Sequence, residues 1–112
     1  MEVINKYPEN MDVRTEYKLV KSPEVKRMSD AEGSVLNIKS WIHYNDVDFK
    51  TGEVRPVLAI ETEDNELFAT VSATFMREFF DMVKFFGNDL GMVRVIKGRS
   101  KAGREFVTCS IE

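Results

Sequence analysis

The chain has little of the material from which catalytic and metal sites are built. It contains one cysteine, Cys109, and one histidine, His43. A single thiol excludes an internal disulfide, and one Cys with one His falls short of the ligand set of a structural zinc site. A histidine-based proton relay lacks residues for the same reason. The sequence therefore predicts a protein that binds no metal, uses no cofactor and is not an enzyme.

Carboxylates are more plentiful, and one acidic segment could suggest a metal site. The stretch NDVDFKTGEV contains Asp46, Asp48 and Glu53. An acidic turn is ordinarily just solvated, and neither a nucleophile, a general base nor a phosphate-binding loop accompanies it. Hydrolysis is therefore disfavoured.

Long apolar runs are also missing. No stretch approaches the roughly 18 apolar residues of a membrane span, and the opening MEVINKYPEN lacks the basic start and apolar run of a secretory signal. We expect a cytoplasmic protein that does not contact a membrane. Its 112 residues, 43% hydrophobic and 31% charged, fit one compact domain.

The middle of the chain alternates with the period of β-strands. Over residues 34–44 the alternation predicts an outer face with Lys39, Trp41 and His43. The inner face would carry aliphatic residues and a tyrosine: Leu36, Ile38, Ile42 and Tyr44. Two further strands are predicted at VRPVLAIET and LFATVS, after turns at Thr51-Gly52 and Asp64-Asn65.

The period changes to that of a helix after residue 71. Ser72 or Thr74 is suited to the N-cap and Gly87 to the C-terminal end. The helix would present one apolar stripe, consisting of Phe75, Phe79, Met82, Val83 and Phe86.

Two strands, MVRVIKG and REFVTCSI, flank the short loop RSKAG near the C-terminus. The alternation turns Val107 and Cys109 inward and leaves Phe106 outward beside Arg104. Before Ser34 the periodicity is weak, and the segment predicts one short strand or helix followed by a loop.

Three strands, a helix and two strands follow one another in the order of an OB-fold. The predicted class is therefore all-β with one helix: a five-stranded OB-fold barrel, with the helix between strands three and four. We expect a single domain over residues 1–112, with an N-terminal extension at 1–33 and the barrel core at 34–112. In that fold oligonucleotides cross the second and third strands and are held by the loop between the last two. KGRSKAGREF occupies that loop.

An unpaired polynucleotide requires cations along its phosphates and flat side chains against its bases. Both kinds of residue occur on the predicted outer faces and in the basic loop, in a chain of net charge −3. The predicted DNA-binding residues are Lys39, Trp41, His43, Phe68, Lys97, Arg99, Lys101, Arg104 and Phe106.

The runs SKAGREFVTCSI, TGEVRPVLAIET and LFATVSATFMREFF resemble the small single-stranded DNA-binding proteins of bacteriophages and prophages of Gram-positive bacteria. The resemblance covers about residues 1–111. It implies an OB-fold that coats and protects single-stranded DNA, without sequence specificity, during phage DNA replication or recombination in the bacterial host cytoplasm. It also implies replication or recombination proteins as partners. The chain stops at TCSIE instead of an acidic tail, so recruitment through such a tail is not expected.

Other interpretations stay open for several of these residues. Trp41 would be a core or subunit-contact residue if the strand register slipped by one. Phe106 could be covered by the N-terminal segment, and the basic loop could be a solvated hairpin that opposes edge-to-edge pairing. The alternative function is an OB-fold protein-protein interaction module, and quenching of Trp41 fluorescence by oligo-dT would distinguish the two. An exposed first or fifth strand could also pair between subunits to give a homodimer.

Overall fold

A computed structural model of the protein describes residues 1–112, apart from the side chain of Asn88. Seven strands and two α-helices occur along the chain. They are β1 (Glu2–Tyr7), α1 (Val13–Lys21), β2 (Lys26–Arg27), β3 (Val35–Val47), β4 (Val54–Thr62), β5 (Leu67–Thr70), α2 (Ala73–Phe86), β6 (Met92–Arg99) and β7 (Glu105–Ile111). Two 3-10 turns, Met28–Ala31 and Gly87–Asp89, complete the regular structure.

The strands form one curled sheet in the order β2-β5-β4-β3-β6-β7, and β1 pairs with β3 outside this path. Strand β3 is the longest and takes part in several ladders. Its first residues, 35–37, pair with β6, and residues 41–45 pair with β1. β2 pairs in parallel with β5, and the other described strand pairs are antiparallel.

The predicted five-stranded OB-fold barrel is wrong. The sheet has seven strands and forms a half-barrel, and in the described part of the chain no ladder joins β5 to β7. The helix predicted from residue 72 is present as α2, but it is the second of two helices and lies between the fifth and sixth strands. The weakly periodic residues 1–33 supply β1, α1 and β2. Strand β5 pairs with β4 along one edge and with β2 along the other. To close the barrel, β7 would have to pair with the edge of β5 that β2 occupies.

The central strands β3 and β4 are buried on both faces. One face packs against α2, where Leu58 and Ile60 join the larger core cluster. The other face packs against α1, where Val57 and Ala59 join Leu19. An uninterrupted apolar run such as residues 57–60 is what a strand covered on both faces requires.

A β-bulge at Lys39 exchanges the two faces of β3. Ile38 pairs with Thr62 and Ser40 pairs with Glu61, so Lys39 is an extra residue between two rungs. Before the bulge Leu36 faces α2, and after it Trp41 does, whereas Ile42 and Tyr44 face α1. Beyond Ser40, therefore, the faces are opposite to those predicted by simple alternation.

Helix α2 is fixed at both ends as its sequence predicts. The Ser72 hydroxyl accepts a hydrogen bond from the Phe75 amide at 3.1 Å, and it donates one to the Val107 carbonyl at 2.7 Å. Gly87 ends the helix with φ +56°, a conformation that favours glycine. The Ser72 bond also fixes the start of α2 against β7. No described helix is long and apolar enough to cross a bilayer.

The burial of Trp41 generates a stability prediction. Its side chain is 4% exposed and makes edge-to-face contacts with Phe79 and Phe80, at centroid distances of 5.8 and 5.4 Å. Trp41→Ala should therefore lower the free energy of unfolding by about 3–5 kcal/mol, measured by urea denaturation. Phe49→Ala is the control, because Phe49 is fully exposed and its replacement should cost about 0.5 kcal/mol or less. Equal destabilisation of the two variants would contradict the placement of Trp41 in the core.

Candidate nucleic-acid interface

The basic loop forms the tip of the β6–β7 hairpin. Its last rung pairs Arg99 with Glu105, and the Ser100 amide donates to the Arg104 carbonyl at 2.8 Å. Gly103 has φ +80°, so a side chain at this position would be strained. A tight turn therefore projects the charged residues from the end of the sheet.

The four cations of the hairpin fall into two pairs. Lys97 Nζ lies 3.5 Å from a carboxylate oxygen of Glu32, and Arg99 lies 3.6 Å from one of Glu105. Lys101 and Arg104 are exposed, and among the described residues no carboxylate lies within ion-pair distance of either. The uncompensated positive charge of the hairpin is therefore concentrated at its tip.

Phe106 lies on the face of the hairpin opposite to Lys97 and Arg99. Its rung partner is Gly98, and the partially buried ring lies directly over this glycine. A Cβ at Gly98 would overlap the ring, so the glycine makes room for the aromatic side chain. Gly98 thus belongs to a regular strand, and only Gly103 serves the turn.

A groove of about 650 Å³ lies beside the hairpin, between the β2–β5 side of the sheet and the start of β7. The first turn of α2 forms part of its wall, with Ser72, Ala73 and Thr74. The polar and aromatic residues in its lining are Arg27, Ser29, Thr70, Ser72, Thr74, Glu105 and Phe106. The groove is thus the opening left where the half-barrel does not close, and the basic tip lies beside it.

Two of the predicted stacking residues are not available to a ligand. Trp41 is 4% exposed and Phe68 is 5% exposed, both in the core beneath α2. The prediction that their rings face outward is wrong. The bulge at Lys39 turns Trp41 inward, and Phe68 shares the inner face of the sheet with Ile60, its partner on β4.

The outer face of β4 and β5 is not open to a polynucleotide either. Helix α1 packs over it, with Leu19 fully buried against Ala59 and Leu67. The hydrophobic residues of α1 therefore occupy the surface that the predicted binding mode required. The weak periodicity of residues 1–33 gave no sign of this.

Lys39 and His43 lie apart from the basic hairpin. Lys39 is exposed at the bulge and does not line the groove. The His43 ring packs against Phe80 at 4.8 Å, and its Nε2 atom is buried with no hydrogen-bond partner among the described residues. Burial lowers the pKa of His43. Of the nine predicted residues, the structure brings five together on one hairpin: Lys97, Arg99, Lys101, Arg104 and Phe106.

Two exposed residues near open surfaces were not predicted. Phe49 is fully exposed in the turn between β3 and β4, and Arg27 lines the groove. An aromatic residue within a predicted turn was the available signal for Phe49. No sequence pattern indicated Arg27, since its position depends on the parallel pairing of β2 with β5.

Among the residues that the structure describes, no group of three or more His, Cys, Asp or Glu side chains is placed to hold a metal ion. Burial raises the pKa of the Cys109 thiol to about 12, so the thiolate nucleophile is scarce at neutral pH.

No protein-family model matches the chain, and no curated protein or solved structure is significantly similar to it. The resemblance to phage single-stranded DNA-binding proteins therefore stays a prediction.

The packing of Phe106 over Gly98 can be tested directly. Gly98→Ala should lower the free energy of unfolding by about 1–3 kcal/mol, because the added methyl group overlaps the ring. The same substitution in a Phe106→Ala background should cost much less, since the obstructing ring is gone. Urea denaturation of the wild type and the three variants measures the difference. An equal cost in both backgrounds would show that Phe106 does not lie over the glycine.

His43 predicts a pH dependence of stability. Because its folded-state pKa is lowered, the unfolded chain binds the proton more readily, and stability should fall as the pH drops below the ordinary value of about 6.5. Between about pH 7 and pH 5.5, where carboxylates titrate little, His43→Gln should remove this pH dependence. Urea denaturation of both proteins across that range provides the comparison. Identical pH profiles would contradict the assignment.

Proposed function

We propose that the protein binds single-stranded DNA through the β6–β7 hairpin and the groove beside it, without catalysing a reaction. The observation that carries this proposal is the pair of exposed cations at the tip, Lys101 and Arg104, which no described carboxylate neutralises. They lie next to a groove of nucleotide size that contains an aromatic ring. Phosphates would lie along the tip, and bases would enter the groove beside Phe106.

The net charge of −3 does not oppose such binding. At 0.1 M salt the Debye length is about 10 Å, so exposed charges elsewhere on the surface are largely screened from the hairpin. The local charge at the tip is positive. It governs the interaction with phosphates, while the acidic residues 46–66 lie mainly in β3, β4 and the turns that flank β4.

Single-stranded DNA is the form that fits the groove best. The Phe106 ring is partly exposed on a strand face, and only an unpaired base can present its flat surface to it. Stacking of one base on an aromatic side chain contributes roughly 1–3 kcal/mol and is tolerant of sequence. This agrees with the sequence-independent binding implied by the phage resemblance, and a role in phage replication or recombination is part of the same proposal.

The decisive test removes the two uncompensated cations. The double variant Lys101→Ala/Arg104→Ala should bind a fluorescein-labelled oligo-dT more weakly at low salt. It should also reduce the slope of log affinity against log salt by about 0.7 for each phosphate that the variant no longer neutralises. Fluorescence anisotropy at several salt concentrations is the measurement. The buried Trp41 is a poor reporter of stacking, so its fluorescence is no substitute.

The matched control is Lys18→Ala/Lys21→Ala, which removes two exposed cations from α1. It changes the net charge equally and should leave both affinity and slope nearly unchanged. If the hairpin variant binds as the control does, the hairpin is not the site. Binding of duplex DNA as tight as that of oligo-dT would contradict the preference for single strands.

A further inference from the structure

We propose, on the premise that the hairpin binds single-stranded DNA, that Glu105 and Glu32 act as built-in competitors of the DNA phosphates. Each carboxylate holds one cation of β6 in the DNA-free protein. A bound phosphate must displace the carboxylate before it contacts Arg99 or Lys97. The two acids therefore limit the affinity and the number of phosphates that the hairpin engages.

The geometry places both acids where this competition requires them. Glu105 is the rung partner of Arg99 at the turn end of the hairpin, so the two side chains share one face. A carboxylate oxygen of Glu105 lies 3.6 Å from the Arg99 guanidinium. The pair is directly adjacent to the tip that carries Lys101 and Arg104, and Glu105 also lines the groove.

Glu32 reaches Lys97 from a different segment, which is itself fixed to β6. The Gly33 amide donates to the Val95 carbonyl at 2.8 Å, and the Arg94 guanidinium donates to the Gly33 carbonyl at 3.0 Å. These bonds fix the backbone next to Glu32 beside β6. Its carboxylate lies 3.5 Å from Lys97 Nζ.

Both ion pairs are weak enough to be displaced. The side chains of Arg99 and Glu105 are 72% and 62% exposed, and those of Lys97 and Glu32 are 35% and 54% exposed. Ion pairs that are this accessible to water contribute little to folding stability. A guanidinium attracts both phosphate and carboxylate, so the two anions compete for Arg99. Removing the carboxylate should therefore favour the phosphate without weakening the fold.

The experiment compares Glu105→Gln with wild-type protein, using fluorescein-labelled oligo-dT and anisotropy over a range of salt concentrations. Glu105→Gln should bind roughly two- to fivefold more tightly at low salt. Its salt slope should steepen by about 0.7, from about 1.4 for two phosphates to about 2.1 for three. Glu32→Gln, which releases Lys97, should act in the same direction.

The matched control is Glu53→Gln, which changes the net charge equally in the turn between β3 and β4. This turn follows the last residue of β3, whereas β6 pairs with the first residues of β3. Glu53 therefore lies beyond the opposite end of that strand. Glu53→Gln should leave affinity and slope as in wild type. An equal increase in affinity from Glu53→Gln and Glu105→Gln would show that the change in net charge alone causes the effect, and it would overturn the inference.

A double-mutant cycle identifies the partner of Glu105. In an Arg99→Ala background the increase in affinity from Glu105→Gln should disappear, because no guanidinium remains to be released. An increase that persists in the Arg99→Ala background overturns the inference. The inference is also overturned if Glu105→Gln binds oligo-dT no more tightly than the wild-type protein does. In both cases the proposed function stands. If no variant binds oligo-dT at low salt, the proposed function itself is wrong.

Discussion

The burial of β3 on both faces constrains the rest of the structure. This strand pairs with β4 along one edge and with β6 and β1 along the other, while α2 and α1 cover its two faces. The bulge at Lys39 lets one continuous strand serve these ladders, since the extra residue bends the strand and reverses its alternation. Trp41 can then complete the core beneath α2, and Ile42 can complete the one beneath α1.

This double coverage decides where a ligand can bind. A sheet with helices on both faces of its centre leaves open only the strands that neither helix reaches. Here the open part is the far end of β6 and β7, which extends past the end of the β3 ladder and turns at Ser100–Gly103. The incomplete closure between β5 and β7 adds the groove. The hydroxyl of Ser72 spans the gap to Val107. It therefore holds the half-barrel together at one point and leaves the space beside it accessible.

Local patterns predicted the elements that depend on local interactions. Helix α2 follows from the spacing of Phe75 and Phe79 together with the cap at Ser72, and the basic hairpin follows from two alternating strands around Gly103. The errors have non-local causes. A bulge at Lys39 leaves no periodic trace, yet it reverses the face of Trp41. The strand β2 has two residues and is defined only by its partner β5, so the half-barrel could not be predicted from residues 1–33 alone.

The electrostatics of the hairpin explain why a cation-rich sequence need not present a cation-rich surface. Two of its four positive charges face carboxylates that the fold delivers from separate segments, Glu105 by cross-strand pairing and Glu32 by the attachment of its neighbour Gly33 to β6. Among the described residues, only Lys101 and Arg104 of these four have no carboxylate within ion-pair distance. Because screening confines each charge to its immediate surroundings, the sign of the potential at the tip is set by these few distances and hardly by the net charge of the chain.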